Sequence, residues 1–594
     1  MQSGERKVLS NDKIIAKQFF RLLPVQVLLI VIPNLNGFIS SLFATNKIGA
    51  DAMSAIATYS PILQLLMSVG TMMLGGSQIL CGKYMGRNEI ERTQSIFSLD
   101  ISFVLIVSLA ASVLLGLCGS MDLLKFMNHD PAVRQLFNRY LIGCCLGIVP
   151  MMVGNQLSAF LSMEMQGNRS TIATGIFVIL NLILTFLFLN VFHMDVMGIA
   201  LAASIGYWAY LLIQMEYYLR GKSLLTFRLT KFRMSDLSEI IKIGIPGALI
   251  SFYMTIRRSV LNSLILRYVG NEGLSAYGVA DTFLGLFWAV PLGMAAVYRM
   301  LLSVSVGEED RESLKVIVKT MLTRCLAVVT VMMVVLILLA EPFTNLYFHD
   351  SADIVYRLTV QAFQLLPIAM PLGLVCQTAS NYGQVMEKQL MVHILSLIDG
   401  AASICLSALV LVPVFGMAGV YYAIIFNGIV TVIYPVVFSA IVNRHIPKNF
   451  DELLMLPDNF GVAEGDRMDI SVDHIEDVVD TAEKVQSFCK TKGLDSRKAN
   501  YAGLFIEEMA GNVIDHGFHK DKKKHSIDIR VAYKAGNMIL RIKDDCIPFN
   551  PKERLSMSDP SQVEKNLGIR MVYTFAKDIQ YQNILGLNAL TVKL

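Results

Sequence analysis

Ile48-Gly49-Ala50-Asp51-Ala52-Met53-Ser54-Ala55 returns 221 residues later as Val269-Gly270-Asn271-Glu272-Gly273-Leu274-Ser275-Ala276. At the same displacement Gly86 returns as Gly307, and Gly198-Ile199 as Gly419-Val420. His129-Asp130 matches His349-Asp350 with one residue fewer between them. Self-similarity at a fixed offset marks a duplicated structural unit. Hydropathy shows what kind of unit it is. A helix that spans a bilayer needs about 20 apolar residues. Uncharged runs of that size occupy 22–46, 52–82, 101–121, 140–163, 170–192 and 196–215. The second half gives 243–266, interrupted by Arg257 and Arg258, then 274–298 with Asp281, then 325–340 and 358–383. A last long run, 400–443, holds the end of one helix, a turn at 413–416 and another helix. The expected fold is an all-α polytopic membrane bundle of twelve transmembrane helices, built as two six-helix repeats.

Working outward, 54% of the 594 residues are hydrophobic and only 16% charged, against about 25% charged in soluble domains, so most of the chain must meet lipid. The nine cysteines are scattered without a Cys-x-x-Cys pair, so no disulfide framework, zinc or haem is expected. The net charge of +4 sits in short basic clusters between apolar runs, which excludes a nucleic-acid stripe. Arg6, Lys7, Lys13 and Lys17 make the first twenty residues too polar for a signal-peptide core, so the first apolar segment is expected to stay as a helix. The basic clusters are at the N-terminus, at Lys83, Arg87 and Arg92, from Arg220 to Arg233, and after Arg444. They share one side if the helix count is even, whereas loops with Asp195 and with Glu341, Asp350 and Asp353 lie opposite. By the positive-inside rule both termini are expected in the cytoplasm, with the chain multi-pass in the plasma membrane.

Two parallel six-helix repeats enclose a cavity that can open to either side in turn, which points to transport. Gly49-Ala50-Asp51-Ala52, Gly82-Lys83-Tyr84-Met85-Gly86-Arg87-Asn88, Gln166-Gly167-Asn168-Arg169 and Gly198-Ile199-Ala200 resemble the multidrug and toxic compound extrusion (MATE) family over residues 13–445. The resemblance implies a secondary, cation-coupled exporter of a small molecule. Family members that couple to protons or sodium usually carry a carboxylate in the first helix, eight residues before the Gly of the Gly-x-Asp-Ala motif. Here that place is Ser41, with Asn34 and Asn36 nearby, and no carboxylate is expected deep in any span of the first repeat. The second repeat carries Arg257, Arg258, Asp281 and Asp399 inside spans, and intramembrane charge is a functional hypothesis by default. Three readings stay open: an Arg-lined cavity for an anion, a cation site at Asp281 or Asp399, or an Arg to Asp pair that ties helices seven and eight together. Adjacent arginines point about 100° apart on a helix, so at most one of them faces the cavity squarely.

After residue 445 the composition turns charged and mixed. The expected division is two lobes, 1–220 and 221–445, a linker, 446–465, and a domain, 466–594, of α+β sandwich type. Strands are expected at 468–472, 526–533 and 538–543, helices at 474–490, 495–515 and 567–575, two final strands, and a long polar loop at 551–564. Glu508, Asn512 and His516 share one helix face, and a carboxylate and amide so placed can hold a water and a hydrated Mg²⁺ against a triphosphate. Asp544 follows an apolar strand, where it can accept from an amino group such as that of adenine. Gly568 opens a helix whose free N–H groups favour phosphate.

In that order, Glu507-Glu508-Met509-Ala510-Gly511-Asn512, Asp544-Asp545-Cys546-Ile547-Pro548-Phe549-Asn550-Pro551 and Asn566-Leu567-Gly568-Ile569 resemble the boxes of the GHKL ATPase superfamily, anti-sigma-factor serine kinase branch. The resemblance implies ATP and Mg²⁺ as cofactors, Asn512 as the Mg²⁺ ligand, Glu508 as general base and Asp544 as the adenine reader. It also implies Pro548, Phe549 and Gly568 around the nucleotide, with 551–564 as the lid. Cys546 and Asn566 stand where the family usually has glycine. With no Walker-type loop, the domain is expected to regulate or report on transport, not to drive it. A membrane sensor kinase acting on an anti-sigma-antagonist-like partner, and a degenerate docking module that does not use ATP, remain alternatives.

Overall fold

The computed structural model describes residues 11–594 except 48–49, 125–129, 222, 228–232, 349, 458–459, 519–524, 535, 549 and 553–566. Of residues 11–13, 36, 38–47, 50–51, 53, 57, 464 and 567–569, only the backbone is described. Among the described residues, twelve helices are long and apolar enough to cross a membrane. The first six are α1 (Asn11–Lys47), α2 (Ala50–Gly86), α3 (Ile90–Ser120), α4 (Pro131–Met163), α5 (Gly167–Asn190) and α6 (Val196–Leu219). The second six are α7 (Met234–Tyr268), α8 (Asn271–Gly307), α9 (Arg311–Leu338), α10 (Ile354–Val385), α11 (Gln389–Phe415) and α12 (Met417–Asn443). Capping follows the chemistry of the termini: Asp130, Asp195 and Asp310 each accept a backbone N–H at the start of α4, α6 and α9. α9 and α11 each contain a π-helical turn, Met321–Cys325 and Ile398–Ala402, the latter carrying Asp399.

The duplication is visible as contact between equivalent residues. Arg299 Nε donates to Gln78 Oε1 at 3.0 Å, a Cβ at Gly82 would lie 1.9 Å from Ser303 Oγ, and one at Gly86 would lie 3.1 Å from the Gly307 carbonyl carbon. Each pair is separated by the repeat displacement of 221 residues, so the pseudo-two-fold axis runs between α2 and α8. Only glycine lets two helix backbones approach this closely, and Gly86 and Gly307 fix the crossing. The contacts between lobes continue as far as Val27 on Gly293 and Thr71 near Gly247. Further along α8, Gly285 and Gly278 meet nothing within 4 Å. The described close contacts between the lobes thus cluster toward the face that carries the C-terminal domain. α2 and α8, each 37 residues and so about 55 Å long, exceed the ~30 Å hydrocarbon core, which leaves their C-terminal turns free to meet that domain.

In the stretch expected as linker, a helical turn, Phe450–Leu454, packs on the carrier: Tyr382 Oη donates to the Leu454 carbonyl at 2.6 Å and Lys388 Nζ to that of Met455 at 3.1 Å. The domain beyond it comprises β1 (Arg467–Val472), α13 (Glu476–Thr491), α14 (Ser496–Gly517), β2 (Ile527–Lys534), β3 (Asn537–Asp544), α15 (Leu567–Phe575), β4 (Asp578–Ile584) and β5 (Leu587–Lys593). The sheet is antiparallel throughout, in the order β1-β2-β3-β5-β4. Side chains alternate across a strand, and β3 shows it cleanly: Met538, Leu540, Ile542 and Asp544 are buried while Ile539, Arg541 and Lys543 point the other way. The apolar face packs on α13 and α14 around Phe505, Ile506 and Met509. The opposite face is charged, and it lies against the carrier.

Candidate functional site

Asp495 caps α14 by accepting from the Lys498 N–H at 2.8 Å. Tyr501 stacks on Phe575 with centroids 4.0 Å apart, which ties α14 to α15. Between α14 and the end of β3 lies a cleft lined by Asn512, His516, Asp544, Cys546, Pro551 and Asn588, among others. The sequence-predicted Asn512 and Asp544 are thus brought together. Asn512 Nδ2 donates to the Glu508 carbonyl at 2.6 Å, which leaves its Oδ1 to act as acceptor or metal ligand. Asp544 is buried and accepts at Oδ1 from the Cys546 N–H at 3.0 Å and from Asn588 Nδ2 at 2.7 Å. Burial pushes the Asp544 carboxyl up, and the Asn588 and Cys546 donors oppose that shift. Asn588 is in turn held by Tyr581 Oη and Asn583 Nδ2, both at 2.8 Å. Sequence reading missed Asn588, which is buried on the last strand beside apolar Leu587, Ala589 and Leu590.

A carboxylate has about four acceptor positions, so Asp544 retains capacity for an amino group in the cleft. Asp544 and the Asn512 Oδ1 are thus acceptors of the kinds that a purine amino group and a hydrated Mg²⁺ would need. Cys546, in a place expected to hold glycine, turns its sulfur toward Gly517, where a Cβ would meet it at 3.0 Å. The cleft holds only about 40 Å³ of space. Pro548 is exposed and does not line it. Phe549 and residues 553–566 of the expected lid lie outside the described residues, and Gly568 is described only as part of the first turn of α15. His525, Asp545 and Cys546 place ligand atoms within 4.8 Å of one another, but Lys17 Nζ already sits on Asp545 Oδ2 at 2.5 Å.

In the carrier, Arg258 and Asp281 pair at 3.8 Å, with their side chains 72% and 52% exposed. Arg257 is half-buried on the next helical position. Asp399 does not join them: its described donor is Asn427 Nδ2 at 3.1 Å. Asn34 is exposed on α1, and the side chains of Asn36 and Ser41 lie outside the described residues. The search for carboxylates in the first repeat passed over a buried one. Asp100 is fully buried in α3 and accepts from Ser77 Oγ at 2.8 Å, while its Oδ2 has no hydrogen-bond partner. The uncharged run starts at 101, but α3 starts at Ile90, which draws Asp100 about 15 Å into the helix. A cavity of about 250 Å³ in the first lobe is lined by Gln26, Asn155, Ser158, Thr174, Tyr207 and Tyr210, with apolar residues between them and no charged group among the described residues.

The third element of the site joins carrier and domain. Arg530 and Arg541 stand directly opposite on β2 and β3, an arrangement that repels unless counter-charge is supplied. The α8–α9 turn supplies it. Asp310, 3% exposed, pairs with Arg530 and lies 3.8 Å from Arg541 and 3.7 Å from Lys543. Glu308, 4% exposed, takes Lys543 at 2.5 Å and Arg541 at 3.2 Å. Burial would raise the Asp310 carboxyl, but the Arg530, Lys543 and Arg541 charges hold it far below the usual range. Glu312 adds Arg467 at 2.7 Å. On the first-repeat side, Lys17 grips Asp545 and Gln18 Nε2 donates to the Leu585 carbonyl. Leu585 and Gly586, both at positive φ, form the two-residue turn between β4 and β5, and Ile584 and Leu585 are buried in the carrier core.

Residues 27–187 and 246–409 match the MatE family, and 473–594 match the histidine kinase-like ATPase domain family. The multidrug export protein MepA of Staphylococcus saprophyticus is 22% identical over 305 residues, 50% of this chain and 66% of that protein. The probable multidrug resistance protein YoeA of Bacillus subtilis is 23% identical over 275 residues, 44% and 59% of the two chains. The chain thus spans about two thirds or less of the length of these curated relatives. In three dimensions it is similar to an outward-facing multidrug resistance MATE family transporter of the MOP superfamily, with TM-score 0.66 at 18% identity over 70% of this chain and 94% of that one. A variant of the Vibrio cholerae MATE transporter VcmN gives 0.68 at 14% identity, over 73% and 98%. The chain belongs to the MatE family and carries a histidine kinase-like ATPase domain at its C-terminal end.

Proposed function

We propose that the chain is a secondary transporter that exports a small organic molecule in exchange for a cation, and that its ATPase-like domain regulates it from the cytoplasm. The observation that carries the transport reading is the contact of repeat-equivalent residues across the axis, Gln78 with Arg299 and Gly86 with Gly307. Such a contact can break and re-form as two similar lobes rock. The domain face is then cytoplasmic, in keeping with its basic loops, and the lobes part toward the outside of the plasma membrane. The neutral, partly aromatic cavity of the first lobe suits an amphipathic molecule of the kind that relatives named for multidrug export carry.

The coupling cation is assigned to the carboxylates. Arg258 and Asp281 stand exposed on helices that line the gap between lobes, and exposed charge within a span must face water or protein, not lipid. Asp281, Asp399 and Asp100 are the candidate cation ligands, with Arg257 and Arg258 as charges that set their occupancy.

In the domain, Asn512 would hold Mg²⁺, Asp544 would take the adenine amino group, and Glu508 is the candidate general base. ATP with Mg²⁺ would supply a polyanion and a transferable phosphoryl group. Asp544 faces the cleft while the next residue, Asp545, grips Lys17 of α1, so any closure around a nucleotide pulls on the carrier.

The test is transport of a fluorescent organic cation into proteoliposomes under an imposed proton or sodium gradient, with and without Mg-ATP, for the full chain and for Asn512→Ala. Gradient-driven transport whose rate Mg-ATP changes only in the unsubstituted chain is expected. No gradient-driven transport sinks the carrier reading, and an equal ATP response in Asn512→Ala sinks the regulatory one. Phosphate release or transfer to an anti-sigma-antagonist-like protein in the same samples would instead favour a kinase.

A further inference from the structure

Between the carrier and the charged face of the sheet lies a second cavity, about 260 Å³ in volume, similar in size to that of the first lobe. Three bodies meet there. Arg87 comes from the α2–α3 turn of the first repeat, Arg311 from the start of α9 in the second, and Arg467, Arg530 and Arg541 from three adjacent strands of the domain. Lys534 and Lys593 close its rim, 42% and 46% exposed. Gly86 and Gly307, the glycines at the pseudo-two-fold axis, form part of its wall. Seven Lys and Arg thus line the space against two carboxylates, Glu308 and Glu309.

The acids that balance these cations lie largely behind the wall. Asp310 and Asp469 hold Arg530, and Glu312 holds Arg467, and none of the three carboxylates lines the cavity. A guanidinium offers five N–H donors, so a pair made on one edge leaves donors for the other. Arg541 carries a buried Nη1 with no hydrogen-bonded partner, although Glu308 lies 3.2 Å away. Neutral donors, Gln580, Gln582 and Thr591, complete the sheet side. Clustered guanidinium and ammonium groups converging on a small volume are the chemistry that recognises phosphate oxygens.

We propose that this cavity is a binding site, separate from the nucleotide cleft, for a small multiply charged anion bearing phosphate or phosphoanhydride groups. Such a ligand bridges both lobes and the domain across the closed face, so it holds the carrier shut on that side. The proposal stands on the cavity alone and does not require the Asp544 cleft to bind ATP. A free polyphosphate and a nucleotide present the same oxyanions.

The experiment is calorimetric titration of the full chain in detergent with inorganic pyrophosphate, for the unsubstituted protein, Asn512→Ala, the double variant Lys534→Gln with Lys593→Gln, and Glu309→Gln. The two lysines are exposed, so their loss leaves the fold intact, and monodispersity on gel filtration checks it. Binding is expected to weaken about ten-fold or more in the double variant, to tighten in Glu309→Gln, where a competing carboxylate is gone, and to stay unchanged in Asn512→Ala. Absence of millimolar or tighter binding overturns the proposal. Binding that ignores the lysines, or that disappears in Asn512→Ala, overturns it too. Repeating the titration of Asn512→Ala with ATP separates the two sources: tighter binding than pyrophosphate assigns a nucleotide, and weaker binding a free polyphosphate.

Discussion

Replacing Asp310 by asparagine removes one charge from the contact between carrier and domain, together with the oxygen that accepts from Ser313 Oγ at 2.7 Å. Asparagine caps a helix about as well as aspartate, so the bond from the Ser313 N–H, 2.9 Å here, persists and α9 keeps its first turn. What is lost is the counter-charge to Arg530, with Arg541 and Lys543 both within 4 Å. Removing one partner of a buried pair costs about 3–5 kcal/mol, because the other charge is left uncompensated. Asp469 still holds Arg530 and Glu308 still holds Arg541, which points to the lower end, about 3 kcal/mol, or roughly 150-fold in the docking equilibrium. Glu309→Gln is the control: Glu309 and Lys534 are 45% and 42% exposed, and an exposed pair contributes about 1 kcal/mol or less. Hydrogen exchange of the α8–α9 turn in the full chain reads the outcome, because the sheet covers the buried Asp310 and its amide is freed further when the sheet leaves. Faster exchange in Asp310→Asn, with Glu309→Gln close to the unsubstituted chain, is expected. Equal exchange in all three would refute the claim that buried charge holds the domain in place.

Burial, against the opposing Ser471 hydrogen bond and Lys543 charge, pushes the Asp528 carboxyl up to about 7. The docked state then holds a proton that the exposed group, with an ordinary value of about 3.9, has released. This contribution is full at low pH and declines as pH rises through 7, by about 1.4 kcal/mol between pH 6 and 8; exchange of the same turn should show that slope, and Asp528→Asn should flatten it. Asp100→Asn keeps the Ser77 bond and removes a titratable buried carboxyl, so it should leave insertion and thermal stability intact while gradient-driven transport falls; normal transport would remove Asp100 from the coupling groups. Cys546→Gly should widen the nucleotide cleft and tighten ATP binding by calorimetry, and an unchanged affinity would mean that the thiol, turned toward Gly517, is not what narrows it.

The parts legible in the sequence were those set by local periodicity. Eleven apolar runs, the last of them holding two helices, correspond to the twelve helices, although the break between α11 and α12 falls at Gly416 alone and Pro413 of the expected 413–416 turn stays inside α11. In the domain, alternation of apolar and polar residues placed β2 and β3 to within a residue, and the 567–575 helix was placed at its observed ends. Asn512 was singled out by its helical spacing from Glu508 and His516, and Asp544 by its place after an apolar strand; both line one cleft. Asp100 was missed because a search for uncharged runs starts a helix after its last charge, although a carboxylate shielded by Ser77 can lie inside one.

The interface was hidden by a different ambiguity. Arg530, Arg541 and Lys543 alternate with apolar residues on their strands, which is also what a solvated sheet face looks like, and no strand pattern tells water from a partner domain. Comparison of the two repeats could have separated them. Where the first repeat reads Gly86-Arg87-Asn88-Glu89, the second reads Gly307-Glu308-Glu309-Asp310. Two equivalent turns therefore differ in charge by the replacement of Arg87 and Asn88 with Glu308 and Glu309. The helices on either side still have to make the same membrane bundle, so the difference is not demanded by the carrier fold. It is accounted for by the one neighbour that breaks the pseudo-symmetry, a single domain that must sit on one turn and not its twin. The acidic turn selects the basic sheet, and Arg87, left on the other side of the axis, faces the same cavity from the first repeat.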